Sequence, residues 1–187
     1  VLLLLSKDRK RSLMNPSSLQ LISLGLEALS YAFVILFLFN ILKIDYFNPV
    51  VKAFVSAYKP ISKLSIFPNQ LYMIAIIAIG LKFLSFQLLY SAQYESAILA
   101  SIAAVETVNT TLRVLFFAII GSVILSWVAP NNDNPLLKII EEISSKTLGP
   151  IRKFIPSFGG LDVTPIFAFI LIRQVEIFLA TIIRSIL

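Results

Sequence analysis

The chain is 187 residues long, 58% hydrophobic and only 14% charged, with a mean hydropathy of +0.89. A soluble domain carries about 25% charged residues, so a chain this apolar cannot cover itself with polar surface, and lipid is its expected solvent. The net charge of +6 with no cysteine and no histidine points to basic loops at a membrane face rather than nucleic acid, and it removes disulfides, thiol nucleophiles, Cys/His zinc or haem ligation and the usual proton shuttle. An enzyme built from this chain would have to work with carboxylates, lysines, hydroxyls or a borrowed cofactor. The expectation is therefore no catalytic residue, no metal, no cofactor and no nucleic-acid partner.

Residues 1–13, VLLLLSKDRKRSL, fit nothing that follows. The apolar run is too short to span, and it precedes the charges instead of following them as in a signal peptide. They read as an upstream or non-native extension, with Met14 as the start. Four apolar runs come next: Leu19 to Leu42, Leu71 to Leu89, Ile98 to Val128 and Pro165 to Leu187. A helical span needs about 20 residues, which each supplies. The polar break between the second and third is short, with Ser91, Gln93, Glu95 and Ser96. The expected fold class is an all-α membrane protein of four transmembrane helices.

The first–second loop carries Lys43, Lys52, Lys59 and Lys63, and the third–fourth loop carries Lys138, Lys146, Arg152 and Lys153. The second–third loop has Glu95 and no base. Basic loops stay cytoplasmic, so both basic loops are expected to face the cytoplasm and both termini to face outward. Lys7, Arg9, Lys10 and Arg11 oppose this unless the chain starts at Met14. Arg184 is a mild dissent that can snorkel to the outer interface.

The chain also repeats. Asn48-Pro49 and Asn134-Pro135 are 86 residues apart, and Lys52 and Lys138 keep that offset. In each copy Asn can cap a helix whose first turn holds Pro. After the second copy, Leu136, Ile139, Ile140, Ile143 and Leu148 make an apolar stripe, with Lys138, Glu141, Glu142 and Ser145 between. After the first, Val50, Val51, Phe54, Val55 and Tyr58 alternate with Lys52, Ser56 and Lys59. Each stripe predicts a short amphipathic helix lying in the cytoplasmic interface. The unit is span, interfacial helix, basic turn, span, and two spans per unit make the repeats parallel. Residues 14–92 form the first copy and residues 93–187 the second.

Residues 126–165 bear the densest motif: SWV, Asn-Pro, GPIRKFIP and GGLDVTP. The sequence predicts a Gly-Pro break at Gly149-Pro150, the basic pair Arg152 and Lys153, and a tight turn at Gly159, Gly160 and Asp162, with Thr164 capping the last span. This pattern resembles the YggT family of bacterial and plastid membrane proteins, in the two-unit form of proteobacterial members. The second copy has the fuller motif: Ser126, Trp127, Pro135, Gly149, Pro150, Ile151, Arg152, Lys153, Pro156, Gly159, Gly160, Asp162 and Pro165. The first is degenerate, keeping Asp45, Phe47, Asn48, Pro49, Pro60 and Pro68. The second departs from the family at Ser145-Lys146, where members often have an acidic or polar residue followed by Pro. The resemblance implies no agreed biochemical activity. It implies links to cation homeostasis and osmotic tolerance, to division-associated gene neighbourhoods and, in plastids, to cytochrome complex assembly and nucleoid organisation.

Six charges fall within or near spans: Glu27, Lys82, Glu106, Arg113, Arg173 and Glu176. Each costs about 2.5–3.5 kcal/mol at mid-helix. Three acids and three bases can neutralise one another. Glu27 and Arg113 each stand 21 residues before an Asn-Pro, at similar expected depth, which predicts a Glu27–Arg113 pair. Arg173 and Glu176 can pair at i, i+3. Such charges read either as an ion or proton path or as ties that fix the assembly of the spans, and their balance favours ties. Ala97, Ala100, Ser101, Ala104, Ala118 and Ser122 give small-residue spacings suited to close helix packing, within the bundle or in a homo-oligomer. Tyr46, Tyr72 and Trp127 read as headgroup-level anchors.

The leading expectation is a non-enzymatic assembly or organisation factor. Arg152, Lys153, Gly159, Gly160 and Asp162 would dock anionic lipid or an unidentified membrane-protein partner, and Asn134 and Pro135 would set the helix start. For the basic pair, an ordinary topology anchor is the plainer reading. The alternative function is a small potassium-type cation transport or channel subunit using Glu27, Glu106 and Glu176.

Overall fold

The structure, a computed structural model, describes residues 16–62, 69–130, 133–155 and 162–187. Residues 1–13, Met14, Lys63, Pro68, Pro156, Gly159 and Gly160 lie outside the described residues. Every regular element among those described is a helix: α1 Pro16–Ile41, α2 Pro49–Ser62, α3 Gln70–Tyr90, α4 Ser96–Val128, α5 Pro135–Arg152 and α6 Thr164–Ile186. The helices α1, α3, α4 and α6 are long and apolar enough to cross a membrane. Their ends fall within three residues of the four apolar runs, because a helix is the only open-chain conformation that satisfies its own backbone in hydrocarbon.

α1 and α3 pack antiparallel along most of their length. The Ser30 hydroxyl donates to the Ala78 carbonyl at 2.8 Å, and the Ser23 and Ser85 hydroxyls meet at 2.8 Å. Between helices in lipid, area burial drives little, so such small hydroxyl contacts and close packing carry the association. α4 packs on α3 and is the backbone of the second half, with α5 and α6 both seated on it. Ile119 of α4, Leu148 of α5 and Ala168 and Ile172 of α6 share one buried cluster.

α1 ends in a Schellman turn. The Ile44 N–H donates to Phe39 O at 2.9 Å and the Lys43 N–H to Asn40 O at 3.2 Å. Lys43 takes the left-handed position with φ 51°, where glycine is the usual occupant. Ile44 folds back into a buried cluster with Phe39, Val51, Ala118, Ile139 and Ile143. α2 leans on α1, with Phe54 edge-on to Phe39 (ring centroids 5.8 Å apart) and Tyr58 edge-on to Phe33 (6.0 Å).

The Gly-Pro break is a correction. α5 runs straight through Gly149 and Pro150 to Arg152, and α2 likewise contains Pro60. Pro150 stands in the last turn, where the helix forfeits one backbone bond and has little length left to kink.

Candidate functional site

The richest polar network lies at the end of the bundle where α1 stops and α2 and α5 begin. Asn48 caps α2, its Oδ1 accepting from the Val50 N–H at 2.9 Å. Asn134 caps α5 in the same way, through the Leu136 N–H at 2.9 Å. Pro135 occupies the first turn. The two Asn-Pro elements also touch, because Asn48 Nδ2 donates to the Pro135 carbonyl at 2.8 Å. One side chain thus starts its own helix and holds the start of the other.

Glu142 of α5 fastens the turn after α1. Its carboxylate accepts the Asp45 N–H at 3.0 and 3.2 Å and pairs with Lys146 at 2.9 Å. Lys146 Nζ also donates to the Lys43 carbonyl. Nearby, Lys138 pairs with the exposed Asp133 at 2.7 Å; the hydrogen bond and the charge of Lys138 hold that carboxyl below its ordinary value.

Arg152 and Asp162 form a strap from the end of α5 to the start of α6. Arg152 Nε and Nη2 donate to Asp162 Oδ2 at 3.0 and 2.8 Å, and the Thr164 N–H donates to Asp162 Oδ1 at 2.9 Å. Burial pushes the Asp162 carboxyl up, but its bonds with Thr164 and Arg152 and the arginine's charge outweigh that, leaving it below the ordinary value. The capping expected of Thr164 therefore belongs to Asp162: Thr164 is the first helical residue, with its own N–H exposed to capture. Lys153 and Phe154 beside the strap are exposed. Gly159 and Gly160, grouped with Asp162 by the sequence, lie outside the described residues.

The intramembrane charges are dispersed. Glu27 accepts from the Ser85 hydroxyl at 3.3 Å, not from Arg113. Val114 packs against the cluster of Phe33, Val34 and Leu36, so Arg113 is level with that stretch, about 10 Å in depth past Glu27, and it faces outward from α4. Equal distance from an Asn-Pro fails to give equal depth because α1 ends level with Ala118 while α4 continues to Val128. Lys82 is buried, 5% exposed, with its ammonium 5.1 Å from the centre of the Tyr31 ring. Asn109 Nδ2 donates to Glu106 at 3.5 Å, and Arg173 pairs with Glu176 at 3.3 Å.

Sequence reasoning missed Glu142, Lys146 and Tyr58 as individual actors. Glu142 reads as the polar side of a stripe and Lys146 as a basic-loop residue; the signal for them was their i, i+4 spacing. Tyr58 reads as one more apolar-stripe residue, yet its hydroxyl is buried without a hydrogen-bond partner and burial pushes it above the ordinary tyrosine value.

Residues 101–183 match the CCB3/YggT family model. A stretch of 65 residues is 49% identical to Uncharacterized protein PA0392 of Pseudomonas aeruginosa, covering 35% of this chain and 33% of that relative. The chain thus spans about a third of the length of that relative. No solved structure matches. The matched stretch contains the Asn134-Pro135 cap, the Glu142 clamp and the Arg152–Asp162 strap, and over residues 101–183 this multi-pass membrane protein carries the CCB3/YggT family match.

Proposed function

We propose that the protein is a non-enzymatic organising factor of the bacterial inner membrane. The capped end of the bundle faces the cytoplasm and docks anionic lipid or a membrane complex. The observation that carries this reading is the company kept by the bases. Lys52 and Lys153 are exposed at the same end as Phe47, Trp127 and Phe154, the last three over 80% exposed. Bases beside exposed aromatics suit an interface where rings sit at headgroup level and cations meet phosphate, at about 1 kcal/mol per base. α5 serves as an amphipathic interfacial helix, burying Ile139, Ile143 and Leu148 while showing Lys138 and Lys146.

The two halves are parallel copies in this reading, residues 14–92 and residues 93–187. Support comes from the Asn48 and Asn134 caps, which repeat the same bond at the same 2.9 Å. Arg152 contributes by holding the strap, and Lys153 supplies the outward charge. A cation-transport role is weaker, since Glu176 is paired to Arg173 and Glu106 to a neighbouring amide.

The test is affinity purification from native membranes with lipids retained. Substituting Lys52→Glu and Lys153→Glu together leaves the strap intact and should strip anionic lipid or the partner from the protein. Undiminished co-purification with the folded double variant would overturn the docking reading.

A further inference from the structure

The hollow between α1, α2 and the start of α3 adjoins the network described above at Lys43, whose carbonyl accepts from Lys146. We propose that it binds one anionic phospholipid molecule, with the phosphate at Lys43 and an acyl chain laid between α1 and α2. The inference does not rest on the docking reading, which uses other residues.

Two adjoining hollows carry it. The first, about 270 Å³, lies where α1 ends and α3 begins, with Asn40, Lys43, Tyr46 and Gln70 around an apolar floor of Phe39 and Ile74. No carboxylate is among the described residues lining it. The second is an apolar groove of about 420 Å³ that runs back along α1 as far as Leu29, walled by Phe33, Ala53, Phe54 and Ala57. Leu36 and Tyr58 line both. Together they have the size of small-ligand sites, about 300–1,000 Å³.

Polarity follows depth. The polar hollow is at the helix ends, and the groove extends into the span by Leu29, twelve residues before Ile41 and so about 18 Å along the helix. A phospholipid has the same order, with its head at the helix ends and its chain toward the bilayer middle. One cation, two amides and two phenols favour an anionic oxygen.

Two independent features point to a ligand. Tyr58 lines both hollows and is 5% exposed, and its hydroxyl is buried with no hydrogen-bond partner among the described residues. Buried hydroxyls are bonded in nearly all structures, and a phosphate or ester oxygen in the polar hollow supplies the missing acceptor once the O–H turns toward it. Lys43 sits at φ 51°, where glycine would be unstrained. The lysine there puts a cation on the rim that glycine would not.

The experiment is native mass spectrometry of the full chain in detergent, titrated with phosphatidylglycerol, with phosphatidylcholine and with soluble glycerol phosphate. One phosphatidylglycerol should bind in preference to phosphatidylcholine, and glycerol phosphate alone should compete poorly. Tyr58→Phe should weaken binding about fivefold to tenfold. Ala57→Trp, which fills the groove, should weaken it as much. Lys43→Gly should weaken it while raising the lipid-free melting temperature. Because the Tyr58 hydroxyl has no partner, Tyr58→Phe should melt no lower than the parent without lipid, so that variant decides even where another fails to fold. Unchanged phosphatidylglycerol affinity in folded Tyr58→Phe would mean lipid of the general annulus and overturn the proposal. Full competition by glycerol phosphate would overturn it too, by leaving an anion site without a chain.

Discussion

Asp162 shows how one side chain can end one helix and begin another. Its two oxygens divide the work between the Arg152 guanidinium and the Thr164 N–H. A carboxylate at a helix N-terminus also meets the positive end of the helix dipole. Its folded value is lowered, so the charged form is the one the fold favours. The stability it contributes is fully present above the unfolded carboxylate value of about 3.9, and it is lost as pH falls through the lower folded value. Asp162→Asn should therefore melt below the parent at pH 7 and approach it as pH drops below about 4. Thermal melts in detergent between pH 3 and 7 measure this, and parallel curves would show that the strap carries no charge-dependent stability. Arg152 is tied up in the same strap, and Lys153 beside it is exposed.

Among the elements, α5 makes one close approach to α4 at a glycine. A Cβ built on Gly121 of α4 would stand 3.0 Å from Ile140 Cγ2 of α5. That distance is tight, and the obstructing methyl is on a β-branched side chain with little freedom in a helix. Gly121→Ala should be near neutral, since a gain in helix propensity of about 1 kcal/mol offsets a small shift of Ile140. Gly121→Leu should cost about 1–3 kcal/mol through overpacking and lift α5 from α4. Chemical denaturation reports the first effect and protease sensitivity within α5 the second. Equal stability of the two variants would mean that α5 is not held by this contact. α4 is offset along its axis from its counterpart α1, running on to Val128 past the level of Ala118 where α1 ends, and that offset displaces Arg113 from Glu27.

For the whole molecule, the four apolar helices divide unevenly. α1 and α3 bury about a third of their most apolar stretches and α4 and α6 only about a tenth, so the second half offers more of its surface to lipid or to another chain. In the topology proposed here, α2 and α5 share the cytoplasmic face. Single cysteines at Lys59 and Lys153 should then react with a membrane-impermeant thiol reagent only after the cytoplasmic side is opened. A cysteine at Gln93, between α3 and α4, should react from outside. Labelling of Lys59 and Lys153 from opposite sides would invert half the chain and dissolve the parallel repeat.

Taken alone, the amino-acid sequence determined the solvent, the four long helices and the Asn-Pro starts of α2 and α5, along with the motif by which the second half is recognised. These are local matters. A span is set by about 20 apolar residues that must satisfy their own backbone, and an N-cap by an Asn two residues from the N–H it accepts. Only the tertiary structure decided which charges meet. Glu27 turned to Ser85, Arg152 to Asp162, Asn48 to the carbonyl of Pro135, and the Tyr58 hydroxyl to no hydrogen-bond partner among the described residues. Those outcomes depend on the rotation and axial offset of one helix against another, set by packing at sites such as Gly121 and Ala118, and counting residues along the chain carries no measure of either.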